Sequence, residues 1–225
     1  MLFRCSQLGK LMTNSRSKSE VLGATAKAVI EEQFLWDTYG IKKEFWSKFT
    51  DKGIEMEDEA IQFAADVLEW GLVYKNTERF NNDWITGEPD VLFDDLLADI
   101  KCSWDGSTFP FFKSGDDIPN KDYWWQLQGY MWLCDKQESE LVYCLMDTPL
   151  EIVQDEIRRA HWKANLIDND DTLIEAVESQ HSFSHIPKEK RVKRFIIQRD
   201  EKAIEQIKQR VEVAREYYEQ LNNQL

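Results

Sequence analysis

At 225 residues, 42% of them hydrophobic and 12% aromatic, the chain is long enough for one substantial core and too apolar to be disordered. No apolar run is long enough to span a bilayer and no signal-peptide core opens the sequence, while Cys5, Cys102, Cys134 and Cys144 form no CxxC pair. These features argue against a membrane, a zinc ribbon or an iron–sulfur cluster, and suit reduced thiols in a cytoplasm; the net charge of −14 argues against a phosphate-rich partner unless the charge is unevenly spread.

In chain order, Ser6 is placed to cap a short helix through about Met12, and a longer helix runs from about Glu20 to Asp37, ending near Gly40. A third helix is expected over Lys52 to Trp70, closed by Gly71. Strand-like segments follow at 72–80, 89–93 and 97–103, and 104–121 reads as a loop. A helix over 122–134, a strand at 140–147, two helices between 149 and 180 and a strand at 192–198 precede a final amphipathic helix over 200–222. The reading is α/β: a single domain over 1–225, with a mixed sheet flanked by helices. The apolar stripe of the last helix (Ile204, Ile207, Val211, Ala214, Tyr218, Leu221) serves either the core or an oligomer contact.

The charge is indeed uneven. Residues 1–19 carry Arg4, Lys10, Arg16 and Lys18 and no acid, and "KEKRVKR" at 188–194 carries five basic residues and one Glu. Either cluster alone is an ordinary solvated surface, but two basic islands in an acidic chain also suit a nucleic-acid partner.

"GEPDVLFDDLLADIKCS", residues 87–103, holds the chemistry. A turn at Asp94-Asp95 pairs Phe93 with Leu96 and sets Asp90 opposite Asp99, with cross-strand Cβ atoms about 5 Å apart. Two carboxylates that close repel unless one is protonated or a cation lies between them. Side-chain alternation puts Lys101 on the Asp99 face and Ile100 and Cys102 on the other. Two hard oxygen donors suit Mg²⁺ or Mn²⁺, and an ammonium beside them can stabilise charge on a phosphate. The alternative is a hairpin whose solvated face happens to be acidic. Two further positions bear on the choice. Glu57 points to the apolar side of its helix, as a snorkelling or a partnered carboxylate, and Gln126 and Tyr130 lie one helical turn apart.

Taken in order, G-x-x-x-E-x-x-A (Gly53, Glu57, Ala60), G-x-P-D (Gly87, Asp90), D-I-K (Asp99, Lys101) and Q-x-x-x-Y (Gln126, Tyr130) resemble the PD-(D/E)XK nuclease superfamily, and within it the lambda-exonuclease-like, or YqaJ-like, viral recombinases. The resemblance covers residues 4–147. It implies a restriction-endonuclease-like core, two divalent metals (Mg²⁺ or Mn²⁺) and hydrolysis of duplex DNA from its ends, typically 5′ to 3′, leaving a single-stranded product. Glu57, Asp90, Asp99 and the Ile100 carbonyl are then metal ligands and Lys101 the catalytic lysine, with Gln126 and Tyr130 completing the site. Ser6 resembles the family's serine for the terminal 5′-phosphate, with Arg4, Lys10 and Arg16 nearby; the arginine that usually precedes that serine would fall ahead of Met1. The family also implies a single-strand-annealing partner and a ring-shaped homo-oligomer. A structure-specific or restriction-type endonuclease and a decayed DNA-binding relative are the alternatives on the same fold; the complete Asp/Asp/Lys set argues against decay.

Overall fold

Val91–Phe93 (β4) and Leu96–Cys102 (β5) form the hairpin that the spacing predicts, with Phe93 paired to Leu96 and Val91 to Ala98, which sets Asp90 opposite Asp99. Asp94 takes the left-handed conformation (φ 45°), which Asp tolerates better than most residues, and so closes the turn. The computed structural model describes residues 1–17, 20–42 and 47–223; Lys18 lies outside the described residues.

β5 pairs in parallel with Glu138–Cys144 (β6), which pairs antiparallel with Val192–Gln198 (β7), giving a mixed four-stranded sheet in the order β4-β5-β6-β7. The crossover from β5 to β6 is the helix Lys121–Cys134 (α5). A smaller mixed sheet joins Phe3–Arg4 (β1), Ile85–Gly87 (β3) and Phe80–Asn81 (β2). The remaining helices are Leu8–Leu11 (α1), Ala24–Tyr39 (α2), Lys48–Glu55 (α3), Glu57–Val67 (α4), Leu150–Lys163 (α6), Asp171–His181 (α7) and Glu201–Asn222 (α8).

Strand alternation divides the core. Leu97, Leu141, Tyr143, Phe195 and Ile197 face one way, against α5 and α8, while Ala98, Ile100, Val142, Cys144 and Val192 face the other, against Ala60, Ile61, Ala64 and Ala65 of α4. Fully buried side chains such as Leu97, Leu127 and Leu141 each contribute about 1.5–3 kcal/mol. Asp99 has the parity of Leu97, so it enters the α5 side. Ile204, Ile207, Val211 and Ala214 of α8 are buried within the chain, so that stripe serves the core. Asp200 caps α8, accepting from the backbone of Lys202 at 2.8 Å.

Besides the short strands β1 and β3, which the sequence reading did not expect, three elements differ from it. α2 starts at Ala24 because Leu22 forms a β-bridge with Asn14, and a Cβ at Gly23 would lie 2.7 Å from the Asn14 carbonyl. The expected helix over 52–70 is two helices broken at Met56, and the acids Glu57, Asp58 and Glu59 open the second, where they complement its N-terminal dipole. Residues 72–79 have strand-like composition but join no sheet; Asn76 ties them down by its backbone N–H to the Asp90 carbonyl (2.8 Å) and its side chain to the Pro89 carbonyl (3.0 Å).

Candidate active site

The hairpin and α5 meet at one buried carboxylate. Asp99 is completely inaccessible; its Oδ1 accepts from Gln126 Nε2 at 3.0 Å, and its Oδ2 lies 2.7 Å from Lys101 Nζ. That ion pair is close but poorly aligned, so Oδ2 has no well-directed hydrogen-bond donor. Gln126 Nε2 also donates to the Tyr130 hydroxyl at 3.0 Å, which locks the amide between phenol and carboxylate. Asp90 Oδ2 accepts from the Ile100 backbone N–H at 2.6 Å. Gly87 explains itself here: a Cβ would lie 2.7 Å from the Tyr130 ring and 2.7 Å from Cys5 Sγ, so only glycine lets Tyr130 approach.

The electrostatics follow from burial. Desolvation, and then the neighbouring Asp99 charge, pushes the Asp90 carboxyl well above the ordinary carboxylate range. Asp99 is pushed up by burial as well, with Lys101 working in the opposite direction. Burial opposes the charge on Lys101, but Asp99 and Asp90 together raise its pKa above the usual lysine value. Two carboxylates that resist ionising side by side, one with an undirected buried oxygen, are a donor set that an added cation would satisfy.

Glu57 opens α4 and lines the same cleft, of about 640 Å³, as Asp90, Ile100 and Lys101. Its Oε2 is held by Lys75 Nζ at 2.7 Å. Among the described residues, no three His, Cys, Asp or Glu side chains close into a ready-made metal cluster. The residues nevertheless fit a divalent ion: Asp90 and Asp99 supply hard oxygens, and Glu57 lines the same cleft as Asp90, on a pair that an ion can displace.

The structure thus brings Glu57, Asp90, Asp99, Ile100, Lys101, Gln126 and Tyr130 together. Arg4, Ser6, Lys10 and Arg16 are exposed and do not line this cleft. Ser6 is not the expected helix cap: the helix begins as a 3₁₀ turn at Cys5, Ser6 lies inside that turn, and Gln7 Oε1 takes the orphan Arg4 N–H at 2.9 Å. Arg4 instead lines a separate cleft of about 400 Å³ with Lys42 and Arg79. In the second basic island, Lys188 pairs with Asp66 (2.6 Å), Arg194 with Glu140 (3.4 Å), and Arg191 lies over Phe63. Sequence reasoning missed Lys75 and Tyr123. Nothing local marks Lys75, but Tyr123 precedes Gln126 by three residues, so the helical spacing that links Gln126 to Tyr130 also finds it.

The fold has close relatives in known structures. A phage-related exonuclease from Haemophilus somnus 129PT is 35% identical over 100% of this chain and 96% of its own, with a TM-score of 0.79. An alkaline exonuclease from Laribacter hongkongensis is 17% identical over 99% of this chain and 92% of its own, with a TM-score of 0.65. A further structure of that enzyme, in complex with dAMP, is 18% identical over 97% and 88%, with the same TM-score. At those lower identities the likeness carries the fold alone. No protein-family model and no curated protein matches the sequence. The first likeness spans the whole chain, and with the hairpin, the lysine and the Gln–Tyr helix in place it shows that the chain belongs to the lambda-exonuclease-like, or YqaJ-like, branch of the PD-(D/E)XK nucleases.

Proposed function

We propose that the chain is a metal-dependent DNA exonuclease that hydrolyses phosphodiester bonds from duplex ends, 5′ to 3′, in phage-type recombination. The observation that carries this reading is the Asp90/Asp99/Lys101 constellation with Gln126 fixed behind Asp99. Asp90, Asp99, Glu57 and the Ile100 carbonyl would hold two Mg²⁺ or Mn²⁺ ions. Bound there, such ions supply Lewis-acid stabilisation of a phosphate and lower the pKa of water. Gln126 and Tyr130 keep the Asp99 carboxylate in one orientation. The Lys101 ammonium faces the cleft, where it donates to the scissile phosphate and offsets the charge that develops as water adds at phosphorus and the sugar oxygen leaves.

The nucleotide in the Laribacter hongkongensis complex supports a nucleotide-binding role for this fold. Arg4 and Lys42 around the second cleft are the basic groups we place along the DNA backbone, with Arg79 beside them in an ion pair with Glu88 (2.8 Å). A ring-shaped homo-oligomer and a single-strand-annealing partner belong to the same reading; with Ile204, Ile207, Val211 and Ala214 of α8 buried within the chain, a ring would use other surfaces. Four free cysteines suit a reducing cytoplasm, and among the described residues no helix is long and apolar enough to cross a membrane.

Two variants test the reading on a 5′-phosphorylated linear duplex. Asp99→Asn should abolish Mg²⁺-dependent nucleotide release while keeping the fold, and should lose the rise in Tm that Mg²⁺ gives the parent protein. Lys101→Ala should lower kcat by roughly 100-fold or more with little change in Kd for DNA. Full turnover by Asp99→Asn overturns the metal assignment.

A further inference from the structure

We infer that Tyr123 is a positioning residue for Lys101: its ring holds the lysine ammonium at the cleft without consuming the hydrogen bonds that the lysine needs for its substrate. This rests on the catalytic role proposed for Lys101.

Tyr123 lies in the first turn of α5, whose N-cap Asn120 accepts from the Asp122 backbone at 2.9 Å. Tyr123, Gln126 and Tyr130 stand at i, i+3 and i+7, on one face of the helix. That face therefore presents a ring to Lys101, an amide to Asp99 and a phenol to the amide. Lys101 Nζ sits 4.9 Å from the Tyr123 ring centroid, well inside the range of a cation–π contact, while Asp99 Oδ2 lies 2.7 Å from the same nitrogen. The ring is itself braced. It packs edge-on to Tyr143 at 6.3 Å, and Tyr143, the cross-strand neighbour of Lys101, packs edge-on to Phe195 at 6.0 Å.

An aromatic face suits this position for a physical reason. Asp99 draws the ammonium back toward the strand and takes up one side of it. A second carboxylate would hold the lysine forward but neutralise it and compete for its donors. The quadrupole of a ring attracts the cation without an oriented acceptor, so the remaining N–H groups stay free to turn into the cleft. Tyr123 also lines that cleft, beside Lys101 and Asn120. It is half-buried, so its removal should leave the core in place.

The experiment is single-turnover hydrolysis of a linear duplex with Mg²⁺, together with DNA affinity and Tm, for Tyr123→Leu, Tyr123→Phe, Lys101→Ala and the Tyr123→Leu/Lys101→Ala pair. Tyr123→Leu should lower kcat about tenfold, the size of a cation–π contact of about 1.4 kcal/mol, with Kd unchanged. Tyr123→Phe keeps the ring and should restore the parent rate. In the Lys101→Ala background, Tyr123→Leu should cost nothing further, because the ring then has no ammonium to hold. Tyr123→Met replaces the leucine variant if that protein does not fold. An unchanged rate in Tyr123→Leu overturns the inference, as does a Tyr123→Phe variant as slow as Tyr123→Leu, a loss of affinity at unchanged kcat, or a full additional loss in the double variant. If Lys101→Ala is itself fully active, the catalytic reading of Lys101 fails instead, so the two failures are told apart.

Discussion

Lys52 is 1% exposed, yet its ammonium ends on two carbonyl oxygens, those of Trp104 (2.9 Å) and Met146 (2.8 Å), with the Phe183 ring 5.4 Å away. It ties α3 to the segments that leave β5 and β6, and α3 is one wall of the cleft through Phe49, Thr50 and Gly53. Burial lowers its pKa from 10.5 to about 8. Between those values the unfolded chain binds the proton and the folded chain does not, so this group makes stability rise with pH across that window, by at most about 1.4 kcal/mol per pH unit. Lys52→Met removes the effect. The Tm difference between the parent protein and Lys52→Met should move in the parent's favour from pH 7.5 to pH 9, and a pH-independent difference would contradict the assignment. The comparison cancels the buried thiols of Cys5 and Cys144, whose burial-raised pKa values oppose the trend in both proteins. At this scale much of the site was legible. Strand alternation places Lys101 with Asp99, and the i, i+4 rule places Gln126 with Tyr130. Lys52 and Lys75 were not, because their partners are backbone carbonyls and a carboxylate distant in sequence.

At the scale of elements, period and caps identify α5, β7 and α8 to within a residue or two. The failures lie where one segment's conformation depends on a distant one. β3 is three residues long and is a strand only because β1 and β2 flank it, whereas 72–79 has strand composition without a neighbour. The break at Met56 is likewise invisible locally, since 52–70 keeps a helical stripe on both sides of it. The loop between β5 and α5 divides its aromatics: Trp104 and Phe109 are buried, Trp104 packing against Phe49 and His181 at 5.1 Å each, while Phe112 is fully exposed and Phe111 partly so. Phe109→Ala should therefore cost about 3–5 kcal/mol of stability. Phe112→Ala should leave Tm unchanged and weaken single-stranded DNA binding about tenfold, as the loss of one stacking contact does. Unchanged affinity would show that Phe112 does not touch the strand.

For the whole molecule, a net charge of −14 looks hostile to DNA, but the acids that matter most here are the ones a cation would neutralise. Part of the second basic island is paired within the chain, as Arg79 is with Glu88 (2.8 Å), so the exposed Arg4, Lys10 and Arg16 of the N-terminal segment and Lys42 carry more of the expected contact with the backbone. The sequence motifs located the hairpin and the helix behind it; the division into a four-stranded and a three-stranded sheet came only from tertiary pairing. The central claim is hydrolysis from DNA ends at a cation-dependent site. The most direct measurement compares nucleotide release from a 5′-phosphorylated linear duplex with that from a covalently closed circle of the same sequence, in Mg²⁺ and in chelator. Release from the linear duplex in Mg²⁺ alone, with the circle intact, is the predicted result. Cleavage of the closed circle at a comparable rate, or release that persists in chelator, would contradict it.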